Sequence, residues 1–167
     1  MVNRGAALHA EPRFRLRVRG KEVVCERPLV MGVLNLTPDS FYDGGRLPDP
    51  VRVREQAARM VEEGAGILDF GAESTRPGSD PVSESEELRR LEAAFADASF
   101  WQRGDVLLSV DTTKPRVARE ALAAGFHIVN NVSGRLDAFP LAEAAAEFGA
   151  AYVVMHSLGT PKTMQVA

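Results

Sequence analysis

The chain of 167 residues has a single cysteine, Cys25, so no internal disulfide can form, and a lone thiol fits a reducing cytoplasm better than secretion. Neither sign of charge dominates. Twenty basic and 23 acidic residues leave a formal net charge of −3 and a pI near 5.7, which argues against a nucleic-acid-binding protein, because phosphate-backbone recognition needs a concentrated basic face. Arg13, Arg15, Arg17 and Arg19 alternate with Phe14, Leu16 and Val18 and read as the solvated side of an edge strand. No stretch approaches the roughly 20 apolar residues of a membrane span. No basic start is followed by an apolar run, so the expectation is a soluble, untargeted, cytoplasmic protein. There is also no convincing Ser/His/Asp or Cys/His set, which agrees with chemistry that needs no protein nucleophile. Cys25 closes Lys21 to Cys25, the second strand of a hairpin turned at Gly20-Lys21, and reads as core packing.

What is present, at 45% hydrophobic and 26% charged residues, is an ordinary globular pattern that alternates apolar runs with helical periods. Leu29 to Leu36 reads as a strand, and Asp49-Pro50 then opens a helix with Val53, Ala57, Met60 and Val61 on one face. Ile67 to Phe70 is the next strand. Ser83 and Glu86 form a capping box ahead of a helix carrying Leu88, Leu91 and Phe95, and Val106 to Val110 is a strand. Pro115 starts a third helix with Val117, Ala121 and Leu122 inward, Gly125 stops it, and Phe126 to Val129 is a strand. Asp137 caps a fourth helix, Leu141, Ala145 and Phe148 line it, Gly149 ends it, and Ala151 to Met155 is a last strand.

A hairpin over residues 1–27 followed by βαβαβαβαβ over 28–167 predicts an α/β protein with an all-parallel sheet covered by helices. A doubly wound sheet would carry a Gly-rich dinucleotide loop after its first strand; here polar loops recur after every strand, as at the mouth of a (β/α)8 TIM barrel. The barrel is the expectation. A closed barrel takes about 250 residues, so a chain with the first five strands and four helices is expected to be part of a longer polypeptide.

The loops after those strands carry the chemistry. Asn35-Leu36-Thr37-Pro38-Asp39-Ser40-Phe41-Tyr42-Asp43-Gly44-Gly45, Glu73-Ser74-Thr75-Arg76-Pro77-Gly78, Ser109-Val110-Asp111-Thr112-Thr113-Lys114-Pro115, and Met155-His156 with Gly159-Thr160-Pro161 follow in order. In order and spacing these motifs resemble the dihydropteroate synthase family over residues 28–165. The resemblance implies a (β/α) barrel that joins 6-hydroxymethyl-7,8-dihydropterin pyrophosphate to p-aminobenzoate, giving 7,8-dihydropteroate and pyrophosphate in folate biosynthesis, and a homodimer. It also implies a C-terminal half bearing a pterin-binding aspartate, a lysine in a Ser-Arg-Lys-type loop and an Arg-x-His pair, none of which this chain contains.

By the same resemblance Asn35 is the contact for Mg²⁺, a hard cation suited to a neutral carbonyl oxygen plus diphosphate; the alternative is an Asn turn tying down its own loop. Thr75 and Arg76 present a hydroxyl and a guanidinium fork that match diphosphate oxygens, whereas an ion pair of Arg76 with Asp80 or Glu84 is the plainer reading. Asp111 would take hydrogen bonds from a pterin's ring nitrogens and amino group, with Arg76 and Asp111 as the catalytic pair. Its alternative is capping the following helix, a task Thr112 or Thr113 can perform. Asn130 resembles the family's pterin-recognising asparagine, while its neighbour Asn131 stands where relatives carry Asp. Phe41 and Pro77 are implied for the p-aminobenzoate subsite, with Asp43 in a closing loop.

His127 begins a strand, at the end opposite a barrel's active face, and reads as structural; His156 is better placed, but a lone histidine is weak ground for a metal or a base. Ser157-Leu158 is a further departure from the family pattern. Two rivals remain: a pterin-binding methyltransferase domain, which has no use for the Ser74 to Gly78 phosphate grip, and a non-catalytic pterin-binding half-barrel.

Overall fold

The computed structural model describes residues 14–37, 49–74, 81–101 apart from the side chains of Ser99 and Phe100, 106–133 and 139–155. Two strands, β1 (Phe14–Val18) and β2 (Lys21–Cys25), form the antiparallel hairpin. The turn falls on Arg19-Gly20, one residue earlier than Gly20-Lys21, with φ of 50° and 75°. A type I′ two-residue loop needs a positive φ at both central positions, and Arg19 adopts it because it is docked. Its amide donates to Gly149 O at 2.6 Å, and its guanidinium donates to the carbonyls of Leu122 and Phe126. Arg15, Arg17 and Arg19 are exposed as expected, Arg19 just past the end of β1, and Arg13 lies outside the described residues. Cys25 is buried and free.

The remainder alternates: β3 (Val30–Asn35), α1 (Pro50–Glu62), β4 (Ala65–Gly71), α2 (Glu84–Trp101), β5 (Leu107–Asp111), α3 (Pro115–Ala123), β6 (Ile128–Asn131), α4 (Phe139–Glu147) and β7 (Ala151–Val154). The five strands β3 to β7 pair in parallel and in chain order. A doubly wound sheet reverses strand order at its middle. None of the described strands does so, and the winding is that of a barrel.

Local chemistry explains the boundaries. Asp49 Oδ1 accepts from Val51 N at 2.9 Å with Pro50 in the first turn of α1, and Val53 and Ala57 are buried. Ser83 Oγ accepts from Glu86 N at 3.3 Å, which is half of the expected capping box; the Glu86 carboxylate is taken by Arg89 and Arg90, which hold it down to about 2. α3 starts on Lys114 without a side-chain cap, and Thr112 Oγ1 accepts from Lys114 N at 3.1 Å. Neither threonine caps the helix, and Asp111 is still left free of that task. At its other end Gly125 N donates to Leu122 O and Phe126 N to Ala121 O, both at 3.0 Å. That second bond commits Phe126 to the helix end, so β6 begins at Ile128 rather than Phe126. Asp137 lies outside the described residues.

The main core lies between the sheet and the helices, with Leu34, Leu68, Phe70, Leu108, Val110 and Val129 facing Ala57, Leu91, Val117, Leu122 and Leu141. A second cluster sits at the opening ends of the strands, where Val18 of the hairpin meets Leu107 and Ile128. The hairpin thus stops one end of the barrel and leaves the strands' carboxyl ends for the site. His127 belongs to the stopped end: its Nδ1 accepts from Leu108 N at 3.1 Å, and burial, then Arg19 and Lys21, pushes its pKa down. It is structural.

Candidate active site

Residues alternate along each strand, so those that do not meet the helices share the opposite, inward face. Register places them in rows. The lowest holds Met31, Ile67 and Leu107; the next holds Val33, Asp69, Ser109, Ile128 and Ala151; the last holds Asn35, Gly71, Asp111, Asn130 and Val153. Polarity rises toward the carboxyl ends, where parallel barrels carry their sites. Three residues expected from sequence, Asn35, Asp111 and Asn130, stand in one row on three strands.

Gly71 makes the gap in that row. A Cβ built there would lie 3.4 Å from Asp111 Cβ, 3.5 Å from Asp111 Oδ2 and 3.8 Å from Asn35 Oδ1. The missing side chain opens a slot between a carboxamide and a carboxylate. Asp111 is half-buried; burial first, then the negative charges of Asp69, Glu87 and Glu73, pushes its carboxyl up to about 7. Near neutral pH it both donates and accepts protons. Asn130 donates from Nδ2 to Asp69 Oδ2 at 2.9 Å. Asp69 is buried, and burial pushes its pKa up against the pull of Ser109 and Asn130.

An ionic cluster beside the mouth escaped the sequence reading. Lys114 Nζ donates to Glu73 Oε2 and Glu87 Oε2, and Glu73 Oε1 accepts from Val82 N at 3.2 Å. Burial pushes the Lys114 ammonium down, and its bonds to the two carboxylates more than reverse this, leaving its pKa raised. The cluster ties the loop after β4 to α2 and to the start of α3. Its signal was Glu87, an acid in the stripe Glu87, Leu91, Ala94 and Ala98, all of them buried.

Asn131 points the other way from Asn130. Its Nδ2 donates to Tyr152 Oη at 2.8 Å and its Oδ1 accepts from Ser133 N at 3.0 Å, so its carboxamide is engaged on the helix-facing side. Phe41, Asp43, Thr75, Arg76, Pro77 and His156 lie outside the described residues, as does Ser157-Leu158. Among the described residues no group of three or more His, Cys, Asp or Glu side chains is arranged to hold a metal, and no helix is long and apolar enough to cross a membrane.

Residues 31–167 match the model of the family described as pterin binding enzyme. The chain belongs to that family. It is 44% identical over 154 residues to dihydropteroate synthase of Escherichia coli strain K12, an alignment covering 92% of this chain and 54% of that protein. The crystal structure of Yersinia pestis dihydropteroate synthase with a sulfonamide drug complex superposes with a TM-score of 0.76 at 44% identity, covering 92% of this chain and 55% of that one. Burkholderia cenocepacia dihydropteroate synthase complexed with 7,8-dihydropteroate gives a TM-score of 0.70 at 39% identity, over 90% and 49% of the two chains. The chain therefore spans about half the length of these relatives, and its sheet is the first part of their TIM barrel.

Proposed function

We propose that the chain is the N-terminal portion of a dihydropteroate synthase, a transferase of folate biosynthesis that condenses 6-hydroxymethyl-7,8-dihydropterin pyrophosphate with p-aminobenzoate. The observation that carries this reading is the single inward row of Asn35, Gly71, Asp111 and Asn130 at the carboxyl ends of parallel strands, in a chain of the pterin binding enzyme family. The relatives named above are dihydropteroate synthases, which favours this activity over the methyltransferase alternative.

In this reading Asp111 and Asn130 hold the pterin through its ring nitrogens and amino group. Thr75 and Arg76 bind the diphosphate, Arg76 offsetting the charge that develops as it departs. The methylene C–O bond breaks with its electron pair leaving on diphosphate, while the arylamine nitrogen forms the new C–N bond and gives up a proton. Phe41 and Pro77 flank p-aminobenzoate, and Asp43 belongs to the loop that closes over it. Asn35 would hold Mg²⁺. Its one neutral oxygen, with Asp111 Oδ2 bordering the same slot over Gly71, fits an ion that takes few protein oxygens and completes its shell with diphosphate and water. When bound, Mg²⁺ would stabilise charge on the diphosphate. A homodimer and a cytoplasmic location complete the proposal.

The test incubates the 167-residue chain with the pterin pyrophosphate, p-aminobenzoate and Mg²⁺ and measures pyrophosphate release. Release dependent on p-aminobenzoate supports the activity; pterin binding without release supports the binding-only half-barrel. In the same assay Arg76→Ala should weaken binding of the diphosphate ester by roughly tenfold or more, the loss of one charge-assisted contact, and free pterin binding much less. Equal losses for both ligands move Arg76 into a structural role.

A further inference from the structure

Asp69 is 2% exposed in a row otherwise furnished by Val33, Ser109, Ile128 and Ala151. An apolar side chain would suit that place better, because a buried carboxylate is unfavourable unless its oxygens are bonded. Only half of it is: Oδ2 accepts from Asn130 Nδ2 at 2.9 Å, while Oδ1 has only the pull of the neighbouring Ser109 hydroxyl, and neither Oδ1 nor Ser109 Oγ has a partner at ordinary hydrogen-bond distance among the described residues. The group is poorly explained as a stabilising feature. Its one bond, however, reaches across β5 to a residue of the mouth row.

We infer that Asp69 is a positioning residue: by accepting from Asn130 Nδ2 it turns the Asn130 carbonyl oxygen toward the mouth, and beside Asp111 this selects ring systems that present adjacent N–H donors. An Asn130 amide turned the other way would set its oxygen against Asp69 Oδ2, acceptor against acceptor. The selection is the same whether Asp69 is ionised or carries its proton on Oδ1, since Oδ2 accepts in both states. Asn130 pairs in register with Asp111, so the row offers a carbonyl oxygen next to a carboxylate. The complementary edge is an amino group with a neighbouring ring N–H, as in a 2-amino-4-oxopteridine; a 2,4-dioxopteridine puts an acceptor where the amino donor was. This specificity rests on the pterin reading above.

The experiment titrates pterin and lumazine into the wild-type chain and into Asp69→Asn, following the ligand by fluorescence. The wild type should prefer pterin by about tenfold or more, because a buried acceptor left without its donor is costly. In Asp69→Asn the new amide can donate as well as accept, Asn130 is free to turn, and the preference should collapse toward unity, mainly through lost pterin affinity. A parallel loss for both ligands with the ratio intact overturns the inference. Failure of the wild type to bind either pteridine overturns the proposed function instead, and the ligand-free protein then decides the positioning. One Asn130 side-chain amide proton should be shifted downfield and exchange slowly with water in ¹⁵N-resolved NMR spectra of the wild type, and lose both properties in Asp69→Ala. An ordinary, rapidly exchanging pair in the wild type overturns the inference without any variant.

Discussion

At the scale of single residues, Asp111 concentrates the chemistry of the described site. Burial and three neighbouring acids raise its carboxyl from 3.8 to about 7, so between these values the folded chain holds a proton that the unfolded chain has released. Its contribution to stability is complete below about pH 4 and is lost as the pH rises through about 7. Asp111→Asn removes that dependence. The variant's melting temperature should fall less than the wild type's between pH 5 and 8 and should exceed it at pH 8, a gain on the order of 2 kcal/mol after allowance for partial exposure. Thermal melts across that range check it, and superimposable wild-type and variant profiles would count against a raised Asp111. The position of Asp111 was readable in sequence because it ends an apolar run. Its raised pKa was not, because Asp69, Glu73 and Glu87 come to it from β4, the loop after β4 and α2.

At the scale of elements, starts and stops written in local sequence were read well. Asp49 and Gly125 work as cap and stop through bonds between residues a few positions apart, and Pro50 and Pro115 open their helices by a fixed φ in the first turn. Misplacements arose where an element's end is committed elsewhere, as at Phe126, whose amide serves the end of α3 while its ring packs edge-on to Phe70 and Phe95. The Lys114 cluster was missed for a similar reason: its members are 27 and 41 residues apart. Glu87 is fully buried and its Oε1 has no hydrogen-bond partner among the described residues, so the cluster draws its charge balance there from Lys114. Lys114→Met should destabilise the chain by roughly 3–5 kcal/mol in urea unfolding, since it leaves buried charge unpaired, and adding Glu87→Gln should recover part of the loss. A cost below about 1 kcal/mol would place the cluster among ordinary surface ion pairs.

At the scale of the whole molecule, the parallel sheet ends on strands with apolar residues in solvent. Val30 and Val33 on β3 are 62% and 50% exposed, and Val154 on β7 is 80% exposed. Open edges of this kind pair with other chains. The 167-residue chain should self-associate with rising concentration in sedimentation velocity, and Val154→Lys should shift it toward monomer. A wild-type monomer at every concentration would show that these edges are protected.

The sequence by itself determined the alternation of strands and helices, the caps that bound them and the polar residues that end the strands, because each depends on near neighbours and on the side-chain periods of strand and helix. It also contained Asn35, Asp111 and Asn130, though not their relation. Tertiary structure decided the register that sets them in one row, the slot at Gly71 and the Asp69 contact beneath Asn130. It also decided that Asn131 faces away. Parallel pairing joins residues distant in the chain, and a shift of one residue would send every inward side chain to the opposite face.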